Sequence, residues 1–96
     1  MPAYLIGHIT IKDTAQWDEY RRRVPATLAP WGGELVLRGR RAVVLSGSHA
    51  HTDAVVIRFP DSAAIEQWYA STAYQALIPL RLAAAEMDLV SFADAT

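Results

Sequence analysis

The chain has 96 residues, nine basic and ten acidic, with a formal net charge of −1 and no cysteine. That length allows one domain over residues 1–96, with a small core and marginal stability unless a partner extends it, and it excludes disulfides, thiolate metal sites and cysteine nucleophiles. A basic excess that could hold nucleic acid, a signal-peptide pattern, and an apolar run near the roughly 20 residues of a membrane span are all missing, so a cytoplasmic protein is expected.

In chain order, residues 4–11 read as a strand, rich in β-branched and aromatic side chains and stopped by Lys12 and Asp13. Asp13 or Thr14 can cap a helix that sets Trp17, Tyr20, Val24 and Leu28 on one face. Pro25 is expected to kink or divide this helix, and Gly32-Gly33 to end it. A second strand is predicted over 34–38, with a further ribbon over 42–46 after a bulge or turn at 39–41. Residues 53–59 form a third strand, and Pro60-Asp61-Ser62 opens a helix with Ile65, Trp68 and Tyr69 inward. Ser71 can then cap a last helix reaching residue 85, bent at Pro79, before a final strand over 87–92. The order β-α-β-β-α-β predicts an α+β, ferredoxin-like domain, with helices on one face of an antiparallel sheet.

The strands are apolar on both faces. Tyr4 and Ile6 alternate with Leu5, Ile9 and Ile11, and Val55, Ile57 and Phe59 alternate with Ala54, Val56 and Arg58. Two helices cover only one face, and an exposed apolar sheet is a liability in a soluble monomer. A homodimer through the bare face is therefore expected. At about 25 cal/mol per Å2, a further ~800 Å2 of apolar burial would outweigh the marginal stability of so short a chain.

Several segments together resemble one family along nearly the whole chain. They are Val24-Pro25, Trp31-Gly32-Gly33, Arg38-Gly39, Phe59-Pro60-Asp61, the run from Trp68 to Gln75, and Leu80-Arg81. The family is DUF1330, similar in fold to the dimeric α/β barrels, in which two ferredoxin-like protomers pack sheet to sheet. The resemblance implies no particular activity: the wider superfamily holds cofactor-free monooxygenases, lactone isomerases, small cyclases and haem enzymes, and fold does not choose among them.

Five residues stand out as ligand-binding candidates. Trp68 and Tyr74 can line a flat pocket for an aromatic or carbonyl compound, or Trp68 can be core. Arg38, Arg58 and Arg81 each need an anion, supplied by a ligand or by Glu34, Glu66 or Glu86, unless they snorkel to solvent. His8 and Tyr74 are the acid–base candidates, with a satisfied rim histidine as the alternative for His8. His49, His51 and Asp53 alternate, a pattern compatible with a metal but also with chance in a polar loop, and no metal site is assigned. No phosphate-binding or dinucleotide fingerprint occurs and no cofactor is expected. Two functions fit: a cofactor-independent enzyme acting on a small anionic or aromatic carbonyl compound, or a non-catalytic small-ligand-binding or regulatory dimer. Either would place its ligand on the helix-covered side.

Overall fold

The structure, a computed structural model, describes residues 1–94. Strand β1 spans Ala3–Ile11, helix α1 Thr14–Leu28, strand β2 Glu34–Arg40 and strand β3 Asp53–Phe59. Helices α2 (Ser62–Ala70), α3 (Thr72–Gln75) and α4 (Ile78–Ala84) follow, then strand β4 (Ala85–Ala93). The four strands form one antiparallel sheet in the order β2-β3-β1-β4. This is the ferredoxin-like arrangement expected from the order of elements.

Directly paired residues share a face. Ala3, Leu5, Gly7 and Ile9 of β1 pair with Val55, Ile57 and Phe59 of β3 and with Met87 and Leu89 of β4 to make the helix side. Tyr4, Ile6 and His8 pair with Arg58, Val56, Ala54, Phe92, Val90 and Asp88 on the bare side. The core lies in the first layer, where Trp17, Tyr20 and Leu28 of α1, Ile65 and Trp68 of α2, and Tyr74 cover Leu5, Ile9, Ile57 and Phe59.

Local chemistry sets the helix ends. Asp13 and Asp61 each accept a bond from the backbone N–H three residues on, filling one of the orphan donors of a first turn. The Gln16 side chain and backbone both bond the Asp13 carboxylate and hold its pKa below the ordinary carboxylate value. Gly32 takes the left-handed conformation (φ 73°) and packs on Pro60, allowing the chain to turn into β2.

Four local expectations are corrected. Pro25 lies within α1 without dividing it. A proline leaves a single carbonyl without its N–H donor, and burial of Trp17, Tyr20 and Leu28 around it keeps the helix together. Residues 42–46 form no strand: the segment 41–52 is a loop, closed by Arg41, whose guanidinium donates to the His49 and His51 carbonyls. The irregularity of β2 lies between Leu35 and Leu37 rather than at residues 39–41. Finally, the expected helix after Ser71 is two pieces. Pro79 sits in the first turn of α4, where its missing N–H costs nothing, so it begins a helix instead of bending one.

Candidate functional site

A pocket of about 170 Å3 lies between α1 and the helix side of the sheet. Trp17, Tyr20, Val24 and Leu28 of α1 form one wall, Val55, Ile57 and Leu89 the floor, and Trp68 one end. An engineered cavity of ~150 Å3 accepts benzene, so the space suits one ring with a small substituent. Arg38 and Arg21 border it and both are exposed. Arg21 is engaged by Asp18 at 3.4 Å. Arg38 has no hydrogen-bond or ion-pair partner among the described residues.

Behind the pocket runs a chain of polar groups. The Arg81 Nη1 donates to the Tyr74 hydroxyl at 2.9 Å, and the Tyr74 and Tyr20 hydroxyls are 2.8 Å apart. Arginine can only donate, so the two phenols share one proton between them and keep one unspent. Burial raises the Tyr20 pKa, and the neighbouring Tyr74 raises it further, keeping Tyr20 a neutral donor. For Arg81, desolvation opposes the charge, but the hydrogen bond to Tyr74 and the neighbouring phenols prevail and raise its pKa above the ordinary arginine value. No carboxylate lies within ion-pair distance of Arg81 among the described residues.

Trp68 is 1% exposed, and its ring centroid is 4.1 Å from that of Tyr74. Its indole N–H donates to the Thr27 hydroxyl, which donates to the Val24 carbonyl. Trp68 is thus both core and pocket wall, and the two sequence readings coincide. Tyr74 itself is fully buried and does not line this pocket. Ser71 caps the short α3 and turns this side chain into the core, where its hydroxyl meets Tyr20 and Arg81, so the expectation that it lines the ligand pocket is corrected.

The arginines do not converge. Arg38 borders the pocket under α1, whereas Arg81 borders a broader, more open groove along β4 with Trp68, Tyr69, Glu66 and His8. Arg58 is exposed on the bare face, opposite Tyr4 and Glu34, and cannot reach a ligand on the helix side. The pairings with Glu34, Glu66 or Glu86 allowed by the sequence do not form. His8 also lies on the bare face, outside the pocket under α1, and its Nδ1 is buried without a partner. Its ring meets His49 at 5.1 Å and His51 at 6.5 Å between centroids. His51 is held between Thr10 and Asp88, at 2.9 and 2.8 Å. Asp53 is not part of this cluster, and no group of three or more His, Asp or Glu among the described residues has metal-binding geometry.

Residues that sequence reasoning did not name for the site are Tyr20, Trp17, Leu89 and Thr27. The helical spacing of Trp17 and Tyr20 marked an inward face, but spacing alone cannot separate a filled core from one with a gap.

Fold and pocket together define an α+β ferredoxin-like protein of the kind found among dimeric α/β barrels. The chain belongs to the DUF1330 family, a domain of unknown function, whose model matches residues 2–94. A comparison with curated proteins gives no match. Among solved structures, RPA0582 of Rhodopseudomonas palustris, of unknown function, is similar with a TM-score of 0.82 at 16% identity, covering 99% of this chain and 83% of the other. SnoaB of Streptomyces nogalater, a cofactor-independent oxygenase, gives 0.68 at 15%, with 99% and 94% covered. A dimeric ferredoxin-like protein of unknown function from Jannaschia sp. CCS1 gives 0.77 at 12%, with 98% and 100% covered. At these identities the likeness establishes the fold. No helix of the described residues is long and apolar enough to cross a membrane.

Proposed function

We propose that the protein is a homodimer, paired through its bare sheet face, whose protomers each bind one small ring-sized anion in the pocket under α1. The observation that carries this reading is an apolar, aromatic-walled cavity of about 170 Å3 with an unpartnered arginine, Arg38, at its rim. A cation without a carboxylate beside an apolar cavity matches a ligand with an apolar ring and one acidic group. The dimer is supported by the exposed Ile6-side sheet face and by the dimeric neighbour of the same fold. In this scheme Trp68 forms the far wall, Arg81 lies on the separate groove along β4, and Arg58 belongs to the dimer face rather than the ligand.

The test is a thermal-shift comparison of benzoate with benzamide and toluene. Benzoate is expected to raise Tm most; at a hundredfold excess over Kd, binding stabilises by ~2.7 kcal/mol. Arg38→Gln should abolish the preference for benzoate over benzamide. No shift with any ring compound, or an unchanged preference in the variant, would sink the reading.

The tyrosine chain favours a second reading, a cofactor-independent enzyme acting on an aromatic carbonyl compound. Tyr20 lines the pocket as a neutral phenol and, when it accepts from the Arg81-anchored Tyr74 hydroxyl, keeps its own proton to donate to a carbonyl oxygen as charge develops there. Tyr20→Phe separates the two readings: ligand binding retained with turnover lost supports the enzyme, and binding without turnover in the parent protein supports the binding module.

A further inference from the structure

The bare sheet face carries an unusual group where the 41–52 loop meets β1. His8 of β1 and His49 and His51 of the 41–52 loop bring three imidazoles together, with centroid separations of 5.1, 6.1 and 6.5 Å. Nothing in the ligand pocket uses them. His8 Nδ1 is buried without a partner, and the His49 imidazole has no hydrogen bond among the described residues. The His51 side chain is 15% exposed, with both ring nitrogens engaged.

We infer that this histidine cluster forms part of the surface that receives a second copy of the chain, and that the copies associate only while the cluster is largely uncharged. The inference rests on the sheet-face dimer proposed above and adds what regulates it. A twofold interface presents the same patch from both partners, so association buries the cluster of each partner. An imidazole gains its proton between about pH 5 and 8, and like charges a few ångströms apart in a partly dry region repel strongly.

The charged groups facing the cluster do not cancel that repulsion. Asp88 of β4 is bonded to His51 and can balance one imidazolium. Glu86, paired in register with Thr10 on the same face, makes no ion pair with any of the three. Asp53 of β3 accepts from the Thr52 hydroxyl. Arg41, bonded to the His49 and His51 carbonyls, adds charge of the same sign as protonated histidine. Protonation of His8 and His49 therefore leaves uncompensated charge on each face. The sign follows: the dimer favours the neutral cluster, so it is retained at high pH and weakened as pH falls.

Sedimentation equilibrium on the full chain at pH 7.5 and 5.5, with circular dichroism to confirm folding at both, tests this. The dimer Kd is expected to rise at least tenfold at pH 5.5 while the fold persists. In the double variant His8→Gln/His49→Gln it should change less than threefold. His49→Gln alone, at an exposed side chain with no bond to lose, should fall between, and it serves if the double variant folds poorly. A wild-type dimer equally tight at both pH values overturns the inference and leaves the dimer standing. Acid weakening that persists undiminished in the variants also overturns it. A folded monomer at pH 7.5 overturns both readings.

Discussion

Tyr74 shows how one side chain can be central to a site without touching its pocket. It packs on Trp68, accepts from Arg81 and shares a proton with Tyr20. Tyr74→Phe keeps the ring and removes the hub, leaving a buried phenol and a guanidinium each short of a partner. Unsatisfied buried polar groups cost about 1–3 kcal/mol, and urea unfolding should report a loss in that range. A loss below ~0.5 kcal/mol would mean that water replaces the bonds. Tyr20 adds a pH dependence. Its pKa is raised from 10.0 because burial disfavours the phenolate, so above that pH the unfolded chain releases a proton that the folded chain retains. Stability conferred below pH 10 is therefore lost progressively at more alkaline pH. Denaturation midpoints between pH 8 and 11 should fall, and Tyr20→Phe should flatten the decline.

Among the elements, the break between α2 and α3 does most to shape the site. Ser71 adopts an extended conformation, accepts from the Tyr74 N–H and donates to the Trp68 carbonyl at 2.6 Å. Ser71→Ala removes the cap and is expected to cost about 1 kcal/mol, read as a shifted urea midpoint with an unchanged slope. This break was legible in the sequence because capping is local: serine before a short helical run has a mechanism. So were the two other caps, each narrowed to an adjacent pair (Asp13 or Thr14, Asp61 or Ser62) from which the aspartate proves to be the cap, and the strand over 53–59, where β-branched alternation and Pro60 agree. The loop after β2 was not. Val43, Val44 and Leu45 have strand propensity, but Leu45 is 92% exposed and the segment finds no neighbouring strand to pair with, so propensity goes unrewarded. The separation of the arginines was equally illegible. Arg38 and Arg58 lie on opposite faces because the shift between Leu35 and Leu37 changes the register of β2 against β3, and a single bulge reverses which side chains point inward.

For the whole molecule, the question is what completes a two-layer protein. The Cα envelope measures 35 × 31 × 16 Å, thin because one sheet face has nothing over it. A compact monomer of 10.6 kDa should expose about 5,500 Å2, and this protomer exposes 5952 Å2. The bare face accounts for much of the character of that surface: Phe92 is 50% exposed, Leu37 50% and Val90 41%, beside Ile6 and Val56. Stable interfaces take roughly 800 Å2 from each partner, which a four-stranded face can supply. Charge placed on it should prevent pairing without disturbing the core, since none of these side chains contributes to the helix side. Val90→Glu combined with Phe92→Glu is therefore expected to give a folded monomer by light scattering, with a lower Tm than the parent because the free face is no longer covered. The ring-sized pocket lies on the other side of the sheet, so benzoate should still raise the Tm of that monomer. If the double variant still dimerises with unchanged affinity, the partner contacts a different surface; if it dissociates and also loses the benzoate response, pocket and interface are coupled through the sheet that separates them.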